Sequence, residues 1–308
     1  MHKLGIMRNF AADFKNQHYL KMEIISTVAR LREAVAKAKA EGLTVGLVPT
    51  MGALHAGHIS LVDRARRECG FVVVSVFVNP TQFNNPDDLR TYPRTVEADC
   101  AKLDEAGVDV AFVPSVEEIY PEPDTRTFDL GPVAEVMEGA MRPGHFNGVA
   151  QIVSKLFDFV QPDKAYFGEK DFQQIAVIRR MAELEGFNID IVACPIMREA
   201  DGLAMSSRNV RLTTEQRELA PTIHQVLADN ADMASQGIEL ESLRQMVIEE
   251  LNSYDGMEVE YYEIVDPLTL QPLDSWADAK NGAVGCITVW MGDVRLIDNI
   301  KYPDLNND

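Results

Sequence analysis

An α/β fold, a doubly wound parallel sheet with a smaller α+β domain behind it, is what this sequence predicts, on three observations. Short β-branched runs alternate with helical patterns over the first two-thirds of the chain, the rhythm of parallel strands joined by crossover helices. That alternation stops near residue 200, where two helical stretches precede three consecutive strand-like runs. A glycine-bearing turn also follows the first strong strand, which is where open α/β sheets bind ligands. Together these give a Rossmann-like first domain over residues 23–197 and a C-terminal domain over 198–308.

In chain order, residues 27–41 carry the three-to-four spacing of an amphipathic helix, and 44–48 form an apolar run with the brevity of a buried strand. Helical spacing returns at 59–68, 96–106, 148–159 and 172–185, and strand-like runs fall between at 71–78, 110–113, 164–167 and 189–192. The stretch 84–95, with two prolines, two aspartates and a Tyr-Pro pair, reads as a mobile loop near the site. Beyond the boundary, 214–235 and 238–253 read as helices and 259–265, 283–290 and 294–300 as antiparallel strands. The junction falls at 198–209, with Gly202 as its pivot and the second domain as a lid.

Residues 1–22 are slightly basic, with Lys3, Arg8, Lys15 and Lys21 against Asp13, and show no periodicity. They lack the apolar stretch of a secretory signal and the arginine and serine of a transit peptide, so they read as an appendage, a leader or an extended start. No apolar run approaches the ~20 residues of a membrane helix. Cys69, Cys100, Cys194 and Cys286 are scattered with no C-x-x-C pair, which suits free thiols in a reducing cytoplasm. The formal net charge is −19, and from Asp201 onward 20 acidic residues face 7 basic ones. That balance opposes nucleic-acid binding.

The chemistry is concentrated in Pro49-Thr50-Met51-Gly52-Ala53-Leu54-His55-Ala56-Gly57-His58. Strand, glycine turn and helix start present backbone N–H groups and a positive helix end to a phosphate. His55 and His58, three apart, face the same way, and as neutral imidazoles they donate N–H groups to a polyphosphate and to the charge that develops as it leaves. Gly52 and Gly57 allow close approach. A single histidine out of context is more often structural, and a histidine pair can bind zinc. Here the His-Glu-x-x-His spacing and a nearby cysteine pair are both missing, so no protein metal site is read. The plainer readings of the later motifs stay open on residues alone: Gln82 as a turn amide, Gly168-Glu169-Lys170-Asp171 as an acidic helix start with a solvated lysine, Ser206 and Ser207 as capping serines.

This ten-residue stretch resembles the HxGH signature of the nucleotidylyltransferase and class I aminoacyl-tRNA synthetase superfamily, in the form taken by the pantoate–β-alanine ligase family. Phe77-Val78-Asn79-Pro80-Thr81-Gln82-Phe83, Phe167 through Gln174, and Met205-Ser206-Ser207-Arg208-Asn209 extend the likeness in the family's order. The last segment is the counterpart of a KMSKS loop with Arg208 in place of its lysine. The resemblance implies an ATP-dependent ligase that joins pantoate to β-alanine through pantoyl adenylate, with magnesium arriving on ATP. It assigns ATP to Met51, Gly52, Ala53, Leu54, His55, Ala56, Gly57, His58, Gly168, Glu169, Lys170, Asp171, Met197, Met205, Ser206, Ser207 and Arg208, and catalysis to His58, His55 and Lys170. Gln82 and Gln174 take pantoate, with Gln82 also near β-alanine; Tyr92 closes over the substrate, and Arg142 and His145 lie beside the site. A homodimer is implied as well. Two alternatives remain at this stage, a nucleotidylyltransferase that stops at the adenylylated product and a silent nucleotide-binding module. Gln82 and Gln174 argue against the second, because such a module has no use for a substrate pocket beside the phosphates.

Overall fold

The computed structural model describes residues 22–303. The leader reading of 1–22 thus lies outside the described residues except for Met22, which is buried and donates its N–H to Asp104 Oδ1 at 3.2 Å.

The first domain runs β1 (Glu23–Ile25), α1 (Val28–Ala40), β2 (Val45–Thr50), α2 (Ala56–Glu68), β3 (Phe71–Val76), α3 (Pro86–Thr91), α4 (Val96–Glu105), β4 (Val110–Phe112), α5 (Val116–Ile119), α6 (Met137–Met141), α7 (His145–Val160), β5 (Lys164–Gly168), α8 (Phe172–Glu185) and β6 (Asp190–Cys194). The strands are all parallel, in the spatial order β1-β4-β3-β2-β5-β6. Successive side chains divide between two apolar clusters. Leu47 and Val73 pack with α1, α7 and α8, whereas Val48 and Val74 pack with α2 and α4. Helices on both faces explain why these strands are continuous apolar runs rather than alternating ones. The chain winds from β2 through β3 to β4 and then returns to β5 on the other side of β2. That reversal opens a crevice beyond the carboxyl ends of β2 and β5.

Strands β2 to β6 fall where the apolar runs predict them, within a few residues. The exception is β1, whose three residues are too few to show a pattern; it pairs Glu23 with Val110 and Ile25 with Phe112. The stretch read as a loop at 84–95 contains α3, opened by Pro86 and capped by Asn85 Oδ1, which accepts from the Asp87 N–H at 2.8 Å. The helix expected at 148–159 starts at His145, behind Gly144 with φ 83°.

The second domain contains α9 (Thr214–Leu219), α10 (Thr222–Ala234), α11 (Leu240–Asn252), β7 (Met257–Val265), β8 (Val284–Met291) and β9 (Val294–Lys301). The single helix expected over 214–235 is broken at Pro221, which has no N–H to continue the ladder. Its strands form an antiparallel meander backed by α10 and α11, with Leu227, Leu243, Val247, Tyr262 and Val289 in the core. A bulge between Val259 and Tyr261 re-aims Glu260.

At the junction, Arg198 bridges to Ala204, and the Gly202 N–H donates to Glu199 O at 3.0 Å with φ 95°. Gly202 is therefore the tip of a tight turn that needs a positive φ. The Arg198 guanidinium fastens this turn to Asp298 of β9 at 2.7 and 2.9 Å.

Candidate active site

The turn after β2 is built around its own polar groups. Thr50 Oγ1 accepts from the Gly52 N–H at 3.2 Å, and the fully buried Asp99 of α4 accepts from Ala53 N–H at 2.9 Å and Leu54 N–H at 2.7 Å. Lys102 Nζ donates to Leu54 O. Gly52 (φ 83°) and Ala53 (φ 50°) both lie in the left-handed region. His55 is the N-cap of α2: its Nδ1 accepts from Gly57 N–H at 3.1 Å, while His58 Nδ1 accepts from His55 N–H at 3.2 Å. A Cβ on residue 57 would stand 2.8 Å from the His55 ring and push it aside, so glycine leaves the ring where it caps α2.

These bonds change the chemistry expected of the motif. The backbone N–H groups of Gly52, Ala53, Leu54, His55 and Gly57 already have acceptors, in the motif itself or in Asp99. What the turn offers instead is two imidazoles whose Nδ1 atoms are acceptors, which puts each proton on Nε2. The rings lie 4.0 Å apart between centroids and both line the cleft. Burial and the Lys170 charge push His55 down to about 4; Asp171 pulls the other way, and Lys102 adds a smaller downward push. Burial, His55, Lys170 and Lys102 push His58 down to about 3. Both rings are neutral N–H donors at pH 7.

Across the crevice, β5 ends in a tight turn over Glu169–Asp171 that carries Lys170 into the cleft, 3.9 Å from Asp171. Asn299 of β9 pins this turn, its Nδ2 donating to Glu169 O at 2.8 Å and Lys170 O at 3.1 Å. Ser207 Oγ donates to Ala53 O at 3.1 Å, so the two signature segments touch. Arg208 is engaged: Asp88 of α3 accepts from it at 2.7 Å and from Arg211 at 2.9 Å, and its guanidinium lies 5.5 Å from the centre of the Tyr92 ring. The stretch 84–95 is thus tied to the site through Asp88, and its own Tyr92 is buried.

The cleft encloses about 210 Å³. Met51, His55, Gly57, His58, Gly168, Lys170, Asp171, Met197, Met205, Ser206, Ser207 and Arg208 line it, together with Gln82 and Gln174. Gly52, Ala53, Leu54, Ala56 and Glu169 do not. Leu54 points into the core, and Glu169 turns outward to Lys301 at 2.8 Å. Gln82 is buried; its Oε1 accepts from Asn79 at 3.1 Å and its Nε2 contacts Met51 Sδ at 3.1 Å. A second chamber of about 650 Å³ lies between the domains and shares Lys170, Asp171, Gln174, Ser206 and Arg208 with the first. Arg142 and His145 line it. His145 Nδ1 donates to Gln82 O at 2.8 Å and its Nε2 accepts from Arg142 at 3.2 Å, which joins the second chamber to the amide pocket of the first. Asp99, Lys102 and Asp88 are absent from every motif reading, because each acts on a segment tens of residues away.

The sequence profile of the family described as pantoate-beta-alanine ligase matches residues 23–301. The chain belongs to the pantoate–β-alanine ligase family. Among family members, a pantothenate synthetase of Porphyromonas gingivalis (strain ATCC BAA-308 / W83) is 63% identical over 283 residues, covering 92% of this chain and all of that one. The crystal structure of pantothenate synthetase from Thermus thermophilus has a TM-score of 0.85 at 47% identity, covering 92% of this chain and 100% of that one. A pantoate-beta-alanine ligase of Francisella tularensis, solved with beta-gamma ATP and beta-alanine, has a TM-score of 0.76 at 36% identity, covering 91% and 97%. The fold of this chain is thus that of a ligase family, and the alternative of a silent binding module falls. Among the described residues, no helix is long and apolar enough to cross a membrane.

Proposed function

We propose that this chain condenses pantoate with β-alanine at the expense of ATP, forming pantothenate, AMP and pyrophosphate. The observation that carries the reading is the convergence of two neutral Nε2–H donors, Lys170 and the Ser206–Ser207 pair on one crevice whose floor is the Gln82–Gln174 amide pocket. In the first step the pantoate carboxylate attacks the α-phosphorus of ATP, and pyrophosphate leaves past the imidazoles and Lys170. In the second the free amine of β-alanine attacks the acyl carbon of pantoyl adenylate, and AMP leaves with the anhydride oxygen. No protein nucleophile is required; catalysis is positioning and charge stabilisation.

β-Alanine comes through the second chamber, where Arg142 meets its carboxylate. Arg142 suits that role because it is half-buried and its carboxylate and amide bonds are long, 3.4 Å to Glu138 and 3.5 Å to Asn84, its nearest partner being the neutral His145 Nε2 at 3.2 Å. Magnesium fits the site through Asp171, a cleft carboxylate whose nearest cation is 3.9 Å away; Asp88 is committed to two arginines. When bound with ATP, the ion neutralises phosphate charge. The second domain acts as a lid that keeps water from the adenylate. A cytoplasmic homodimer completes the reading: the four free, buried cysteines suit the compartment, and the dimer is what the motif resemblance implies.

The direct test is turnover with ATP, magnesium, pantoate and β-alanine, giving AMP and pantothenate. Omitting β-alanine leaves pantoate-dependent exchange of labelled pyrophosphate into ATP. Exchange that needs no pantoate rejects the adenylate route. Gln82→Ala and Gln174→Ala each raise the pantoate KM by about tenfold or more, a lost amide hydrogen bond or two, while ATP affinity stays within about twofold. ATP affinity falling equally in both variants would move these amides to the nucleotide side.

A further inference from the structure

Glu138 lies on α6 of the first domain, yet most of its partners belong to the second. Its carboxylate accepts from both Nη atoms of Arg295 on β9 at 2.6 and 2.7 Å, from Tyr261 Oη on β7 at 2.8 Å and from Thr288 Oγ1 on β8 at 3.0 Å. One buried carboxylate thus takes a donor from every strand of the C-terminal sheet. The backbone that aims it is unusual. Met137 has φ 45°, and a Cβ on Gly139 would fall 1.9 Å from Ala134 O. Strain of this kind is kept where the placement matters.

A fourth donor is Arg142, one helical turn along, which reaches Glu138 Oε2 only at 3.4 Å. Arg295 has taken the near positions on both oxygens. Arg295 has a second carboxylate of its own, Glu260, re-aimed by the β7 bulge and bonded to its Nε at 2.9 Å. If the second domain moves away, each face keeps one carboxylate and one guanidinium: Glu260 with Arg295, and Glu138 with Arg142. Neither face is left with an unpaired buried charge, so the exchange avoids the large cost of stripping a buried ion of its partner.

We propose that Glu138 is a positioning residue that trades partners as the second domain docks. Docked, it is held by Arg295 and releases Arg142 to the carboxylate of the amine substrate; undocked, it draws Arg142 back. This rests on the role given above to Arg142. The consequence is an order built into the site, in which the β-alanine subsite is armed only when the cleft is covered and the adenylate is shielded from water.

The test removes the competitor. Arg295→Met leaves Glu138 to claim Arg142, so the β-alanine KM rises about tenfold or more. Pantoate-dependent pyrophosphate exchange stays within about twofold, because Asn299 and Lys301 still hold the Glu169–Lys170 turn. Adding Glu138→Gln to that variant removes the charge that sequesters Arg142 and returns the β-alanine KM to within about threefold of the parent. A purely structural latch gives the opposite result, a double variant no better than the single, and that outcome overturns the proposal, as does exchange falling in parallel with the KM. If Arg295→Met does not fold, Arg295→Lys, which retains one bond to Glu138, carries the same comparison with a smaller rise. Arg142→Met separates the two readings. An unchanged β-alanine KM there means the role of Arg142 is wrong; a raised KM with no rescue in the double variant means the exchange of partners is wrong.

Discussion

His58→Ala slows adenylate formation by about 10²–10³, the loss that follows removal of one preorganised donor to developing charge. His58 Nδ1 is committed to the His55 N–H, so its one free polar group is the Nε2–H that faces the cleft. The donor is neutral and fixed before ATP arrives, so no reorganisation is needed as charge builds on the leaving phosphate. The same substitution uncaps the His55 N–H, at a cost of about 1 kcal/mol. His58→Asn separates the two effects: its amide oxygen can accept that N–H as a helix cap does, but it places no donor where Nε2–H stood. The rate should fall as in the alanine variant while the Tm stays near the parent's. Single-turnover quench with pantoate and ATP measures the rate, and a variant within about threefold of the parent returns His58 to a structural role.

The same histidines set an acid limit on stability. With folded values of about 4 for His55 and about 3 for His58, below the ordinary 6.5, the unfolded chain binds more protons between those limits. Stability therefore rises with pH across that interval and levels off above about 6.5. The doubly substituted His55→Asn, His58→Asn protein should show a shallower slope from pH 4 to 6.5 in denaturant midpoints. Activity should have no histidine limb between pH 6 and 8.

What the sequence makes legible is the part governed by local pattern. Apolar runs at 45–48 and 71–76 show as strands because both of their faces are buried, and the His55–His58 spacing shows as one helix face. What stays hidden depends on long-range partners. Pro86–Thr91 is polar enough to pass for loop, and its order comes from Asp88 meeting Arg208 and Arg211 more than a hundred residues on. The second chamber exists only once β7 to β9 stand against α6. The partner of the Ala53 and Leu54 N–H groups in the glycine turn is hidden for the same reason, because the carboxylate that takes them comes from α4.

That group is Asp99, and Asp99→Ala has the largest stability effect expected of a single polar substitution in this site. Its carboxylate is fully buried and accepts from Ala53 N–H, Leu54 N–H and Thr95 Oγ1 at 2.9, 2.7 and 3.1 Å. Alanine leaves two backbone donors without acceptors, each worth about 1–3 kcal/mol, so the loss is about 2–6 kcal/mol. A domain stable by about 5–15 kcal/mol remains mostly folded at 20 °C with a clearly lower Tm. Activity falls further than the unfolded fraction explains. The clamp holds Ala53 at φ 50°, a conformation that a β-carbon resists, and without it the turn relaxes and withdraws Ala53 O from Ser207. Both signature segments then lose register at once, and ATP affinity drops with kcat. Asp99→Asn keeps one oxygen for one N–H and sets an amide N–H₂ against the other, so its Tm lies between the two while its rate stays low. Calorimetry and ATP titration at 20 °C decide the matter: an alanine variant that melts with the parent, or one that melts early yet binds ATP normally when folded, removes Asp99 from the construction of the site.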